Sequence, residues 1–160
     1  LIDNELRDFK LGGAELSGTD KARLKALNEE MADLSTRFEE NVLDATNAWS
    51  LLVTREEDLA GIPADVVAAA REAAEAIGEH GWKLTLRMPC YLPVMRYAQN
   101  RELRQRLHQG YATLGSELGA NPEWDNGPVI ERILVLRREE ARIQVARRHR
   151  GPERPRPGPP

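Results

Sequence analysis

The chain has 160 residues, of which 41% are hydrophobic, 31% charged and only 5% aromatic, with a formal net charge of -3. That length fits one domain with a single core of ordinary size, and the mixture favours helices in water. No apolar run approaches the roughly 18–20 residues of a membrane span, the opening LIDNELRDF is not a secretory signal, and the single cysteine, Cys90, excludes an internal disulfide and a Cys-rich zinc site.

One cysteine suits a reducing, cytoplasmic setting. The chain begins with Leu1, which reads as a processed chain or a fragment. Charge is uneven: residues 143–160 hold Arg147, Arg148, Arg150, Arg154 and Arg156 against Glu153, a net +4, which leaves -7 on residues 1–142 of the total of -3.

Residues 1–18 read as a polar lead-in broken by GG at 12–13 and SG at 17–18. A long helix follows, with Ser17 or Thr19 as its cap and Asp20 in its first turn. Leu24, Leu27, Met31, Leu34, Phe38, Val42, Ala45 and Trp49 recur at helical spacing, and charged residues lie between them. TREEDLAG is a turn. Pro63 opens a second, Ala-rich helix that stops at Gly78. Residues 82–88, WKLTLRM, alternate as a strand and end at Pro89. A lone strand is unstable, so either SLLVT at 50–54 pairs with it or its partner lies outside the chain. A short helix then starts near Pro93, Asn100 punctuates, and Leu103, Leu107, Tyr111, Leu114 and Leu118 mark the next helix. GANPEWDNGP is a loop. The last helix carries Val129, Ile130, Ile133, Leu134 and Leu136, and its apolar period fails after Arg142. Residues 143–160 read as a disordered Arg/Pro-rich tail. The fold class is all-α with one short strand.

Chemistry is sparse. His80, His108 and His149 stand apart from one another and lack the His-Glu-x-x-His spacing of a zinc helix, so each is read as a surface or capping residue. The acid pairs Glu39/Glu40, Glu56/Glu57, Glu72/Glu75 and Glu139/Glu140 read as solvated faces, since no apolar or cationic neighbour is placed to shift a pKa. Cys90 has no evident base and reads as a packed thiol. The basic tail lacks interleaved aromatics, so nucleic acid is not expected as a partner, nor is a membrane. Catalytic, cofactor-binding and metal residues are all read as none.

Five stretches carry a resemblance: NELRDF at 4–9, FEENVLDATNAW at 38–49, LLVTREEDLAGIP at 51–63, the run from WKLTLRMPCYLPVMRYAQ to QGYAT at 82–113, and WDNGPVIERILVLRREEA at 124–141. In order and spacing they resemble the thimet oligopeptidase family of zinc metallopeptidases, in its bacterial branch, over about residues 1–142. The resemblance implies a mostly helical parent several times longer, with two helical halves flanking a narrow channel that admits short peptides. It implies a cytoplasmic metalloendopeptidase whose zinc sits on a His-Glu-x-x-His helix with a later glutamate, the motif glutamate acting as base. Residues 1–142 then form part of the channel wall and scaffold in the N-terminal half, and this chain, lacking the motif, binds no zinc and is inactive. The family continues after LRREEA with an apolar stretch where this chain has RIQVARRHRGPERPRPGPP, which implies a frameshift near residues 141–143. Asn41, Asp44 and Asn47 are expected to tie the first helix to its neighbours rather than to substrate. The alternative is a free-standing helical interaction module that docks a partner on the stripe of residues 24–49.

Overall fold

The computed structural model describes residues 18–150 together with residues 2, 4 and 5, with the backbone alone for 146–150. Most of the lead-in, the Ser17 cap and residues 151–160 of the tail lie outside the described residues. The elements run α1 (Gly18–Ala48), β1 (Ser50–Val53), a 3-10 turn (Glu56–Leu59), α2 (Ala64–Glu75), β2 (Trp82–Thr85), α3 (Met88–Tyr97), α4 (Arg101–Ala112), a second 3-10 turn (Pro122–Trp124) and α5 (Gly127–Arg150). They divide into two compact units, one of Leu1–Thr36 with Val129–Pro160, the other of Arg37–Pro128.

In the first unit the N-terminal part of α1 and α5 lie antiparallel. Leu24, Leu27 and Leu136 are buried. Two two-pronged ion pairs set the register. Arg23 donates to both carboxylate oxygens of Glu139 at 2.6 and 2.7 Å, and Arg132 donates to both of Glu30 at 2.6 and 3.0 Å. Moving seven residues along α1 moves seven back along α5, so the two pairs read one antiparallel register twice. The Arg132 hydrogen bond holds the Glu30 carboxyl below its ordinary pKa, and the Arg23 hydrogen bond does the same for Glu139.

In the second unit the chain makes its main core. Leu51, Val53, Leu84, Leu86, Val94, Leu103 and Leu107 are buried together. The strand at 82–88 finds its partner inside the chain: β1 and β2 are antiparallel, with Leu51 opposite Leu84 and Val53 opposite Trp82. These pairs share one face of the ribbon, which is why β1 alternates in burial and Leu84 is the buried residue of β2. The strand is shorter than expected. It ends at Thr85, Leu86 is buried beyond it, and Met88 already belongs to α3. α3 therefore starts at Met88 with Pro89 in its first turn, where a proline loses no helical hydrogen bond, and Pro93 lies inside the helix rather than at its start.

The ends of α2 and α4 follow local chemistry. α2 closes with Gly78 at φ 75, where Glu79 N–H donates back to the Ala74 carbonyl, a left-handed helix stop. The Asn100 side chain caps α4 by accepting from Leu103 N–H at 3.1 Å. α4 stops at Ala112, short of the expected Leu118, because Gly115 takes φ 61 and the chain turns; Leu118 is exposed. α5 continues past Arg142 to Arg150. Its residues there hold no glycine or proline before Gly151, so helix propensity persists, and Ile143 is still half-buried one heptad beyond Leu136.

Four outcomes are expected. Gly78→Ala costs about 1 kcal/mol, the left-handed penalty alone, because its added Cβ meets open space. Gly81→Ala costs about 2–3 kcal/mol more in urea unfolding, because at φ 115 its Cβ would fall on the Val53 carbonyl. Exchanging charges in Arg132→Glu and Glu30→Arg separately lowers the Tm, and the double exchange restores it, with all differences shrinking in high salt. Because folding lowers the carboxyl pKa of Glu30 and Glu139, their contribution is present above the unfolded carboxylate pKa and is lost as pH falls through the folded one. The Glu30→Gln variant should accordingly lose part of the acid dependence of the Tm.

Candidate functional site

The residues that sequence reasoning singled out as chemistry are dispersed. His80, in the bend before β2, and His108, on α4, are exposed, and the side chain of His149 lies outside the described residues. Glu39, Glu40, Glu56, Glu57 and Glu72 are exposed, and Glu75 pairs with Arg71 at 3.2 Å. Glu139 is engaged by Arg23, which holds it ionised, the opposite of the raised pKa a general acid needs. Cys90 is half-buried, and its Sγ accepts the Thr85 N–H at 3.4 Å. Among the described residues no three of His, Cys, Asp and Glu come together as a metal site.

Two concavities lie within the second unit. One, of about 60 Å³, is lined by Trp49, Gly110, Leu114, Gly115, Asn121 and Trp124 and carries no ionisable group. The other is a groove of about 330 Å³ bounded by Val66, Ala70 and Ala73 of α2, Lys83 and Thr85 of β2, and Arg87 and Cys90.

What is built with precision is a polar clamp. Asn126 is 1% exposed. Its Oδ1 accepts from Asn41 Nδ2 at 2.9 Å, its Nδ2 donates to the Phe38 carbonyl at 3.1 Å, and its backbone N–H donates to the Gly115 carbonyl at 2.9 Å. One side chain thus fastens α1 to the loop that precedes α5. Beside it, Trp49 lies flat on Gly110: a Cβ there would come 2.5 Å from the indole Nε1. A second clamp joins Arg55, whose guanidinium donates to Asp58 at 2.9 and 3.0 Å, and Asn100 Nδ2, which donates to the same carboxylate at 2.9 Å. The Arg55 hydrogen bond lowers the Asp58 pKa.

Of the three polar residues expected to tie α1 to its neighbours, two do so: Asn41 through Asn126, and Asn47, whose Oδ1 accepts from Arg87 at 2.9 Å. Asp44 does not, because it falls on the exposed side of the helix. Asn126 and Gly110 were missed from sequence. Asn126 sits in a loop rich in turn residues and looks like one of them, and Gly110 inside a helical period was the readable signal of a close approach.

The hydrogen bonds of Asn126 and Asp58 fasten helices and loops to one another. Oligopeptidase A of Haemophilus influenzae is 44% identical over 143 residues, 89% of this chain and 21% of that protein. The chain is homologous to a fifth of oligopeptidase A. Oligopeptidase A of Escherichia coli is 43% identical over 143 residues, again 89% of this chain and 21% of its own length, and the organellar oligopeptidase A of Arabidopsis thaliana is 33% identical over 150 residues, 89% and 18%. The chain therefore spans about a fifth of the length of the curated relatives it matches. No family model matches it. Among the described residues no helix is long and apolar enough to cross a membrane.

Replacing Asn126 by Ala should cost about 2–3 kcal/mol, since it strands the Asn41 amide in a buried site. Asp44→Ala should stay within about 0.5 kcal/mol. Chemical denaturation of both variants reads the difference.

Proposed function

We propose that this chain is a scaffold segment of a zinc-dependent oligopeptidase that hydrolyses short peptides in the cytoplasm, and that it contributes walls and fastenings rather than reacting groups. The reading is carried by one observation: similarity to oligopeptidase A runs along 89% of the chain at 43–44% identity in the bacterial relatives. The layout of polar side chains supports it. Among the described residues, every buried side-chain nitrogen or oxygen has a hydrogen-bond partner. Asn126, Asn41 and Asn100 spend their amides on helix carbonyls, caps and one another. The zinc, its glutamate base and the peptide subsites belong, on this reading, to the part of the peptidase outside this segment.

The stripe of residues 24–49 is used inside the chain. Leu24, Leu27 and Ala45 are buried, and Met31, Leu34, Phe38, Val42 and Trp49 are half-buried. Less of that stripe is open to an outside partner than the docking-module reading supposes.

The test is an assay of the 160-residue chain on a quenched fluorescent peptide of about ten residues, with zinc supplied, beside the whole Escherichia coli oligopeptidase A. The chain should give no hydrolysis above blank. Chelator-sensitive cleavage by the purified chain would overturn the scaffold reading.

A further inference from the structure

α5 has two faces. The packed one carries Val129, Ile133, Leu136 and Ile143 at spacings of 4, 3 and 7, and Leu136 is fully enclosed. Its rotation about its own axis is fixed by the ion pairs of Arg132 and Glu139 with α1, which flank that stripe. At about 100° per residue, Ile130 and Leu134 then fall roughly a third of a turn away from the packed stripe, one turn apart from each other. They are 45% and 56% exposed, and Val135 on the next flank is 49% exposed. Single exposed leucines are ordinary. An apolar row on a helix whose rotation is already fixed is different, because the helix cannot turn it inward to the existing partner. A helix apolar on more than one side is built to be covered on more than one side.

We infer that the Ile130–Leu134 row of α5 is an interior contact surface covered by the remaining polypeptide of the same oligopeptidase. This rests on the scaffold reading above. The occupant follows from length: the bacterial relatives match along 89% of this chain, yet that match takes up only 21% of their own, so some four-fifths of such a protein lies outside the segment. The surface also states what it fits. Arg137 and Arg138, both exposed, bracket Leu134 in helical projection, so the covering segment presents apolar side chains with carboxylates beside them.

Thiol accessibility tests it. Leu134→Cys is made in the 160-residue chain together with Cys90→Ala, and a cysteine is placed at the aligned position of whole Escherichia coli oligopeptidase A. Both native proteins are reacted with a small maleimide, and the rate for the unsubstituted enzyme is subtracted. The whole enzyme should label at least tenfold more slowly than the chain. Equal rates in an enzyme that still cleaves peptide overturn the inference. If the Cys variant of the whole enzyme fails to fold, Ile130→Cys and its aligned position supply the same comparison one turn away. Slow labelling of the chain itself, with a dimer by sedimentation, assigns the face to a second copy and also overturns it. Cleavage of peptide by the isolated chain would sink the scaffold reading instead, and it leaves the labelling ratio to decide the face.

Discussion

The amide of Asn126 is buried to 1% exposure, and a buried amide must find its partners or destabilise the fold. Here the partners come from α1: the Asn41 amide and the Phe38 carbonyl. Their geometry sets the rest of the second unit. Gly115 accepts the Asn126 N–H and turns at φ 61, which ends the helical run after Ala112. With the loop drawn in, Gly110 comes against Trp49, and a methyl group at that position has nowhere to go. A chain of small tolerances therefore radiates from one polar group, in a region whose sequence looks like ordinary loop.

Three carboxylates follow the same logic of partnered groups. A catalytic carboxylate is made reactive by leaving it under strain, poorly solvated or crowded by like charge. Glu30, Asp58 and Glu139 are treated in the opposite way, each held ionised by an arginine hydrogen bond. Such groups are stabilised in place and have little to give to a reaction.

Much of this fold was legible because it obeys local rules. The α1 stripe from Leu24 to Trp49, the Pro63 start of α2, its stop at Gly78 and the Asn100 cap all follow from periodicity and backbone preference within a few residues. The errors have physical causes. Pro89 and Pro93 are both fit for a helix start, and only the turn after Thr85 decides between them. Leu114 and Leu118 continue the α4 spacing, but Gly115 in a left-handed conformation breaks it. Beyond Arg142 the apolar stripe thins to a half-buried Ile143 while helix-compatible residues go on, and the backbone follows the latter. The Asn41–Asn126 pair spans 85 positions, and no local rule reaches that far.

The two-stranded ribbon has a kinetic meaning as well. β1 and β2 pair in register, yet the whole of α2 lies between them in the chain. A tight hairpin can zip from its turn, but this pairing must first close a loop of nearly thirty residues, and the entropy of that closure is paid before the first ladder bond returns anything. α2 relieves part of it, because an Ala-rich helix with its own left-handed stop forms on a submicrosecond scale and shortens the span to be searched. The core around Leu84 and Leu107 draws on both the ribbon and the helices, so its closure depends on bridging that span. During synthesis, β1 must wait until residue 85 has left the ribosome before it has anything to pair with, and Leu51 and Val53 stay without their cross-strand neighbours until then.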